Sequence, residues 1–263
     1  MADYQNISVL SQGAVTTLVI ARPEKLNAIT PSVFAELTSA IAEALATGTK
    51  AFVLSGEGRF FSSGADIQPD GQGYNGLPED LGPLVDAYYN SFTRLIASLP
   101  VPVVTALNGP AAGAGVSIAL SGDIVVAGQS SYLLLAFVNI GLVPDAGATW
   151  LVARSLGRAR TLELCLLGER LSAEDAKAAG LITKVVDDAE VLAEAQKIAA
   201  KLASGPTLAV GAIRKQVAYA LDHDMNAVLD HERDNQQLLG RSEDFAEAIA
   251  AFGEKRKPVF RGA

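Results

Sequence analysis

Between Asp123 and Arg154 the chain carries one side chain with a full charge at neutral pH, Asp145. It stands in a Pro-Asp-Ala-Gly turn between the apolar run YLLLAFV and a Trp-Leu-Val run. A carboxylate among apolar neighbours loses hydration, which favours its neutral form and raises its pKa. A carboxyl group poised in this way can take up and return a proton as a general acid–base. The same position suits a plainer task, capping the following helix by accepting one of its free N–H groups. The residues by themselves leave both readings open.

Two further stretches bear on chemistry through their backbone. FSSGADI (61–67) is a small-residue turn whose N–H groups can point outward unhindered, as an oxyanion requires, although an ordinary strand-to-loop turn reads the same way. NGPAAGAGVSIAL (108–120) follows an apolar strand and opens an apolar helix, so its free N–H groups and the helix dipole face whatever lies above the turn. A phosphate loop would need Lys followed by Ser or Thr at the helix start, and a dinucleotide fingerprint needs another glycine spacing. The stretch suits a polarised carbonyl oxygen, or else close helix–strand packing that demands small residues.

These turns need elements to hold them. Residues 7–10 and 15–20, split by Gln12-Gly13, predict a hairpin. Thr30 as N-cap with Pro31 at the first helical position predicts a helix to about Ala46. Strands are predicted at 51–54, 101–107, 123–127 and 132–135, and helices at 84–98, from the 108–115 turn to Ser121, and after the Asp145 turn. Residues 68–82, rich in Gly, Pro and Asp, read as a surface loop. This alternation points to an α/β core of stacked turns, expected over residues 1–203. From 204 to 263 helical periodicity replaces the strand signals, and this region is expected to pack on a neighbouring subunit.

Composition bounds the function. With 49% hydrophobic residues and a mean hydropathy of +0.26, the chain has ample core material and is not disordered. A net charge of −8, with Lys255-Arg256-Lys257 as the densest basic run, argues against a nucleic-acid surface. The one cysteine, Cys165, allows no intrachain disulfide, fits a reducing cytoplasmic setting and reads as a core residue of LELCLLG. The opening residues lack a basic region followed by a long apolar run, so no signal peptide is expected. The uncharged stretch 101–122 contains Pro102, Asn108, Gly109, Pro110, Gly113 and Gly115, so it reads as strand, turn and helix rather than a membrane span.

Taken in order, RPEKLNAIT, FSSGADI, NGPAAGAG, NIGLVPDAGATW and AFGEKRKPVF resemble the crotonase, or enoyl-CoA hydratase/isomerase, superfamily over essentially the whole chain. The stretches around Asp145 are most similar to its ring 1,2-epoxyphenylacetyl-CoA isomerase branch. The resemblance implies a crotonase-like α/β spiral of repeated ββα units and a C-terminal helical trimerisation region. It also implies homotrimers or dimers of trimers, and acyl-CoA thioester substrates with no cofactor or metal beyond them. It places the oxyanion-hole donors at Ala65 and Ala114. Substrate or CoA contacts would fall at Lys25, Leu26, Ala28, Ser63, Ala65, Asp66, Ile67, Gly113 and Phe137, with Phe252 and Lys255 reaching the CoA of a neighbouring subunit. Tyr74, Leu81, Leu84 and Phe92 are candidates for the acyl pocket.

The departures from the family pattern are informative. The two glutamates with which family hydratases deliver water fall on Ser117 and Phe137, neither of which can activate water as a carboxylate does. Asp145 falls where several branches carry a catalytic aspartate. The expected function is therefore acyl-CoA isomerisation through an enolate, with Asp145 as acid–base. The alternatives are hydrolysis or dehalogenation through an Asp145 nucleophile, for which a nearby histidine would be wanted while His223 and His231 lie in the C-terminal helical region as expected surface or interface residues, and non-catalytic acyl-CoA binding.

Overall fold

The computed structural model describes residues 4–67 and 78–263. The expected hairpin forms from β1 (Ile7–Gln12) and β2 (Val15–Ile20), antiparallel, with Gln12 opposite Val15. After a 3₁₀ turn (Pro23–Lys25) comes α1 (Pro31–Ala46), opened as its sequence predicts. The Thr30 side chain accepts the Val33 N–H at 3.4 Å, and Pro31 sits where a missing N–H costs nothing. Its buried face, Val33, Phe34, Leu37, Ala40, Ile41 and Ala44, has the three-and-four spacing of an amphipathic helix.

The chain continues through β3 (Ala51–Gly56), α2 (Gly82–Leu84), a π-helical turn (Val85–Asn90), α3 (Ser91–Ser98), β4 (Val103–Leu107), β5 (Ala111–Ala112) and α4 (Ala114–Leu120). Then follow β6 (Ile124–Gly128), β7 (Tyr132–Leu134), a 3₁₀ segment (Ala136–Ile140), α5 (Ala148–Leu167), β8 (Arg170–Ser172), α6 (Ala173–Ala178) and β9 (Lys184–Val186). After a 3₁₀ turn (Asp188–Glu190) the chain ends in α7 (Val191–Ala203), α8 (Thr207–Ala220), α9 (Met225–Leu239) and α10 (Glu243–Glu254). The helix predicted over 84–98 is thus three contiguous pieces, and α5 is kinked at Gly157.

Two sheets organise these elements. The larger has the order β1-β2-β3-β4-β6-β9, with every pairing after the hairpin parallel. The smaller has the order β5-β7-β8, and bridges at Ile29–Ala65 and Ser62–Ala111 continue the parallel pairing beyond its β5 edge. Successive turns therefore add a long strand, a short strand or bridge, and a helix, which is the expected spiral. Parallel strands covered on both faces read as unbroken apolar runs, and β3 and β4 are buried at every residue. One face of the large sheet packs under α1 through Leu18, Ile20, Phe52 and Leu54. The other meets α7, whose Val191, Ala195, Ala199 and Ala203 repeat every fourth residue and let helix and sheet approach closely.

Beyond residue 203 only helices follow, and α8 to α10 carry exposed Leu208, Ile213, Val217, Leu229, Leu238, Ile249 and Phe252. Among the described residues no helix is long and apolar enough to cross a membrane.

Candidate active site

The segments leaving β3 and β4 are zipped together. The Phe61 N–H donates to the Pro110 carbonyl at 3.1 Å and the Ala112 N–H to that of Ser62 at 2.9 Å. Gly64 permits a close approach, since a Cβ there would lie 2.7 Å from Ala112 O and 3.2 Å from Ala114 N, and its φ of +91° is one that other residues rarely adopt.

A buried N–H must find an acceptor, so counting them along the segment is informative. Phe61 and Ser62 donate to Pro110 O, Ser63 to Leu26 O, Gly64 to Ser62 Oγ and Asp66 to Ile29 O. The Ala65 N–H has no acceptor among the described residues. Across from it, Ala112 and Gly113 donate to Ser62 O and Leu134 O, whereas Ala114 opens α4 and has no partner inside that helix. Ala65 and Ala114 line one cavity of about 190 Å³, together with Ser63, Ile67, Leu81, Leu84, Val85, Tyr89, Gly113, Ala136, Phe137, Ile140, Leu142 and Asp145.

Asp145 is the one charged side chain among these, and the others are nearly all apolar. Its Oδ1 is buried without a hydrogen-bond partner. Burial pushes its pKa up to about 6, against a small opposing effect from its own backbone N–H. The capping alternative is not what forms: the N-cap of α5 is Gly147, with no side-chain cap bond. Instead Asp145 begins a tight turn in which the Ala148 N–H donates to its carbonyl at 3.0 Å. The two central residues, Ala146 and Gly147, have φ of +48° and +86°, the double left-handed pattern of a type I′ turn.

The structure brings together Ala65, Ala114, Asp145, Ser63, Ile67, Gly113 and Phe137, along with Leu81 and Leu84. It sets others apart. Asp66 is buried and pairs with Arg22 at 3.0 Å, so its carboxylate braces the loop and does not line the cavity. Lys25 and Leu26 lie one hydrogen bond behind the cavity wall, their carbonyls accepting the Ser63 Oγ–H and N–H, and the buried Ala28 gives its carbonyl to Arg22. Phe92 turns into the core against Phe34, at 5.3 Å between ring centroids, because the helical face it shares with Ile96 looks inward. Tyr74 lies outside the described residues. Phe252, 86% exposed, and Lys255, the left-handed C-cap of α10, stand away from the cavity on the surface. His223 and His231 stack on Tyr219 at 3.6 and 4.4 Å between ring centroids, and neither lines the cavity.

Sequence reasoning missed Val85, Tyr89, Ala136, Ile140 and Leu142. The first two ride on the π-helical turn, which a 3.6-residue period does not register.

A fold of stacked strand–strand–helix turns, with two N–H groups unclaimed among the described residues and a desolvated carboxyl group on the same cavity, can hold a developing negative oxygen while a proton moves nearby. The enoyl-CoA hydratase/isomerase family profile matches residues 11–263, and the chain belongs to that family of enzymes, whose substrates are acyl-CoA thioesters. It is 43% identical to the 1,2-epoxyphenylacetyl-CoA isomerase of Escherichia coli K12, over 94% of this chain and 95% of that one. It is 40% identical to a Rhodobacter capsulatus protein named "Probable enoyl-CoA hydratase", over 99% of both. A crystal structure of enoyl-CoA hydratase subunit I from Geobacillus kaustophilus HTA426 superposes with a TM-score of 0.91 at 33% identity, covering 100% of both chains.

Proposed function

We propose that the protein isomerises an acyl-CoA thioester through an enolate, with Asp145 carrying the proton. The observation behind this is the Asp145 carboxyl itself: its Oδ1 is buried and unpartnered, on the cavity that Ala65 and Ala114 also line. As a carboxylate, Asp145 takes a proton from the carbon chain next to the thioester. The electrons move onto the thioester oxygen, where the Ala65 and Ala114 N–H groups stabilise the charge. The resulting carboxylic acid returns the proton at another carbon, so proton and charge balance without water. Each N–H donor would lower the barrier by about 3–4 kcal/mol.

Hydration needs a second group to activate water, and the lining offers Phe137 where family hydratases carry a glutamate. A nucleophilic Asp145 would need a base for the water that releases its adduct, and no histidine lines the cavity. Mere binding would leave a desolvated carboxyl group without a purpose. The apolar lining favours an uncharged alkyl or aryl acyl group; the similarity to the Escherichia coli 1,2-epoxyphenylacetyl-CoA isomerase supports an aryl one. On this reading the exposed Phe252 and Lys255 complete the CoA contacts of a neighbouring subunit in a cytoplasmic trimer or dimer of trimers.

The test is a panel of alkyl and aryl enoyl-CoA esters in heavy water. Wild type should move the double bond and exchange α or γ protons, and Asp145→Asn should do neither while binding the esters with unchanged affinity. Full turnover by Asp145→Asn would overturn the assignment.

A further inference from the structure

Ser117 reads in the sequence as a lost glutamate, but the structure gives it a partner. It is fully buried, does not line the cavity, and its Oγ donates to the Asp145 backbone carbonyl at 2.9 Å. That carbonyl already accepts the Ala148 N–H, so the serine is not needed to satisfy it. A helical serine commonly bonds back to a carbonyl of its own helix; this one reaches to a turn 28 positions along the chain.

The next carbonyl of the same turn is held from a different helix, α3. Thr93 Oγ1 lies 3.1 Å from Ala146 O and 3.1 Å from Tyr89 O, so its one proton serves either. Tyr89 lines the cavity, while Ser117 sits one helical turn after Ala114 on α4. The turn is thus tied on one side to the helix that carries an unclaimed N–H and on the other to the wall of the acyl pocket. Between the two ties, Ala146 is left-handed at φ +48°, a conformation that a residue with a Cβ keeps only where its surroundings over-determine it.

We infer that Ser117 and Thr93 are positioning residues: their hydroxyls clamp the carbonyls of Asp145 and Ala146 and so fix where the Asp145 carboxyl stands relative to the Ala114 N–H. The catalytic consequence rests on the isomerase reading above; the clamp itself does not. Holding the carbonyl of residue 145 fixes the plane of the peptide that follows it, and with it the direction in which the side chain leaves the backbone. Without the clamp the strained turn relaxes and the carboxyl swings toward water. Neither hydroxyl touches substrate, so the effect falls on turnover and not on binding.

Ser117→Ala, Thr93→Val, their combination and the hydroxyl-retaining Thr93→Ser test this with two readouts. The first is kcat and KM on an alkyl or aryl 3-enoyl-CoA. Misplacing a reacting group by about an ångström costs up to about a hundredfold, so kcat should fall roughly tenfold in each single variant and further in the double, with KM within about twofold. Thr93→Ser should restore wild-type turnover. The second readout needs no turnover: the Asp145 carboxyl is titrated by infrared difference against Asp145→Asn in each background. A carboxyl released toward water titrates at lower pH, so the midpoint should move acid in Ser117→Ala and return in Thr93→Ser relative to Thr93→Val.

If wild type turns over none of the esters yet the midpoint still moves, the isomerase reading fails and the clamp stands. An unmoved midpoint in both Ser117→Ala and Thr93→Val overturns the clamp, as does a fall in kcat that follows only the loss of folded protein.

Discussion

Ala65 and Ala114 occupy matched positions on two adjoining parallel segments, each three residues beyond a member of the bridged pair Ser62 and Ala111. This shared register brings residues from successive turns of the spiral to one cavity, each with its N–H unclaimed among the described residues. The pairing that continues the small sheet thus also sets where the two donors stand, and Gly64 lets their segments pack without a Cβ between them.

Gly64→Ala should therefore damage stability and chemistry together. The added Cβ would lie 2.7 Å from Ala112 O, on a backbone with φ of +91°. Overpacking and left-handed strain together should cost about 2–4 kcal/mol. In the molecules that remain folded the donors are forced apart, so kcat should drop by about a hundredfold or more, as when one oxyanion donor is lost. Tm and single-turnover rates on the folded fraction measure the two effects; a folded variant with wild-type kcat would show that donor spacing is irrelevant.

Asp145→Asn should be inactive yet more stable than wild type at neutral pH. Burial raises the folded-state pKa of Asp145 to about 6, above its unfolded value, so the folded state binds the extra proton between those two values. The stability this contributes is fully present below the unfolded pKa and is lost as pH rises through about 6. The full conversion is at most about 3 kcal/mol, and about 1–2 kcal/mol after discounting for solvent screening of a partly exposed group. Asparagine does not titrate, so the Tm advantage of the variant should be near zero below pH 4, grow toward pH 6 and level off above it. A difference in Tm that does not vary with pH would refute the desolvation argument.

The same group sets the rate profile. Proton abstraction needs the carboxylate, so kcat/KM for an enoyl-CoA should climb tenfold per pH unit below about 6 and flatten above it. Ordinary solvent-exposed behaviour would instead put the break near pH 4. A profile measured between pH 4.5 and 8, with stability checked at each point, separates the two.

How much was legible in the sequence depended on how local each signal was. Thr30 and Pro31 announce α1 because a cap and its helix are adjacent, and the apolar runs of β3 and β4 announce buried parallel strands. Asp145 stood out because the chain around it is uncharged, but only the structure sets its capping reading aside, since the N-cap is Gly147. The strands β5, β8 and β9 have two or three residues each and carry no period. Ser117 and Thr93 were opaque for another reason: their partners lie 28 and 53 positions away, and a lone hydroxyl residue on an apolar helix carries no mark of what it will bind.

Asp66 provides the sharpest contrast between what the motif suggested and what the fold does. Its carboxylate and the Arg22 guanidinium are both nearly withdrawn from solvent, 3.0 Å apart, and Arg22 also donates to the Ala28 carbonyl. The pair joins the 22–28 turn to the loop that carries Ala65. Removing one partner leaves the other charge buried, which typically costs about 3–5 kcal/mol, whereas replacing both by apolar residues of similar volume is often close to neutral. Asp66→Ala should thus lower stability sharply, and Arg22→Met combined with Asp66→Leu should recover much of the loss. If Asp66 instead contacted substrate, the double variant would regain stability but keep a raised KM. Denaturant melts of the three variants, with KM for an enoyl-CoA measured on each, decide between a brace and a binding residue; the burial of the pair predicts that KM stays within about twofold of wild type in the rescued double variant.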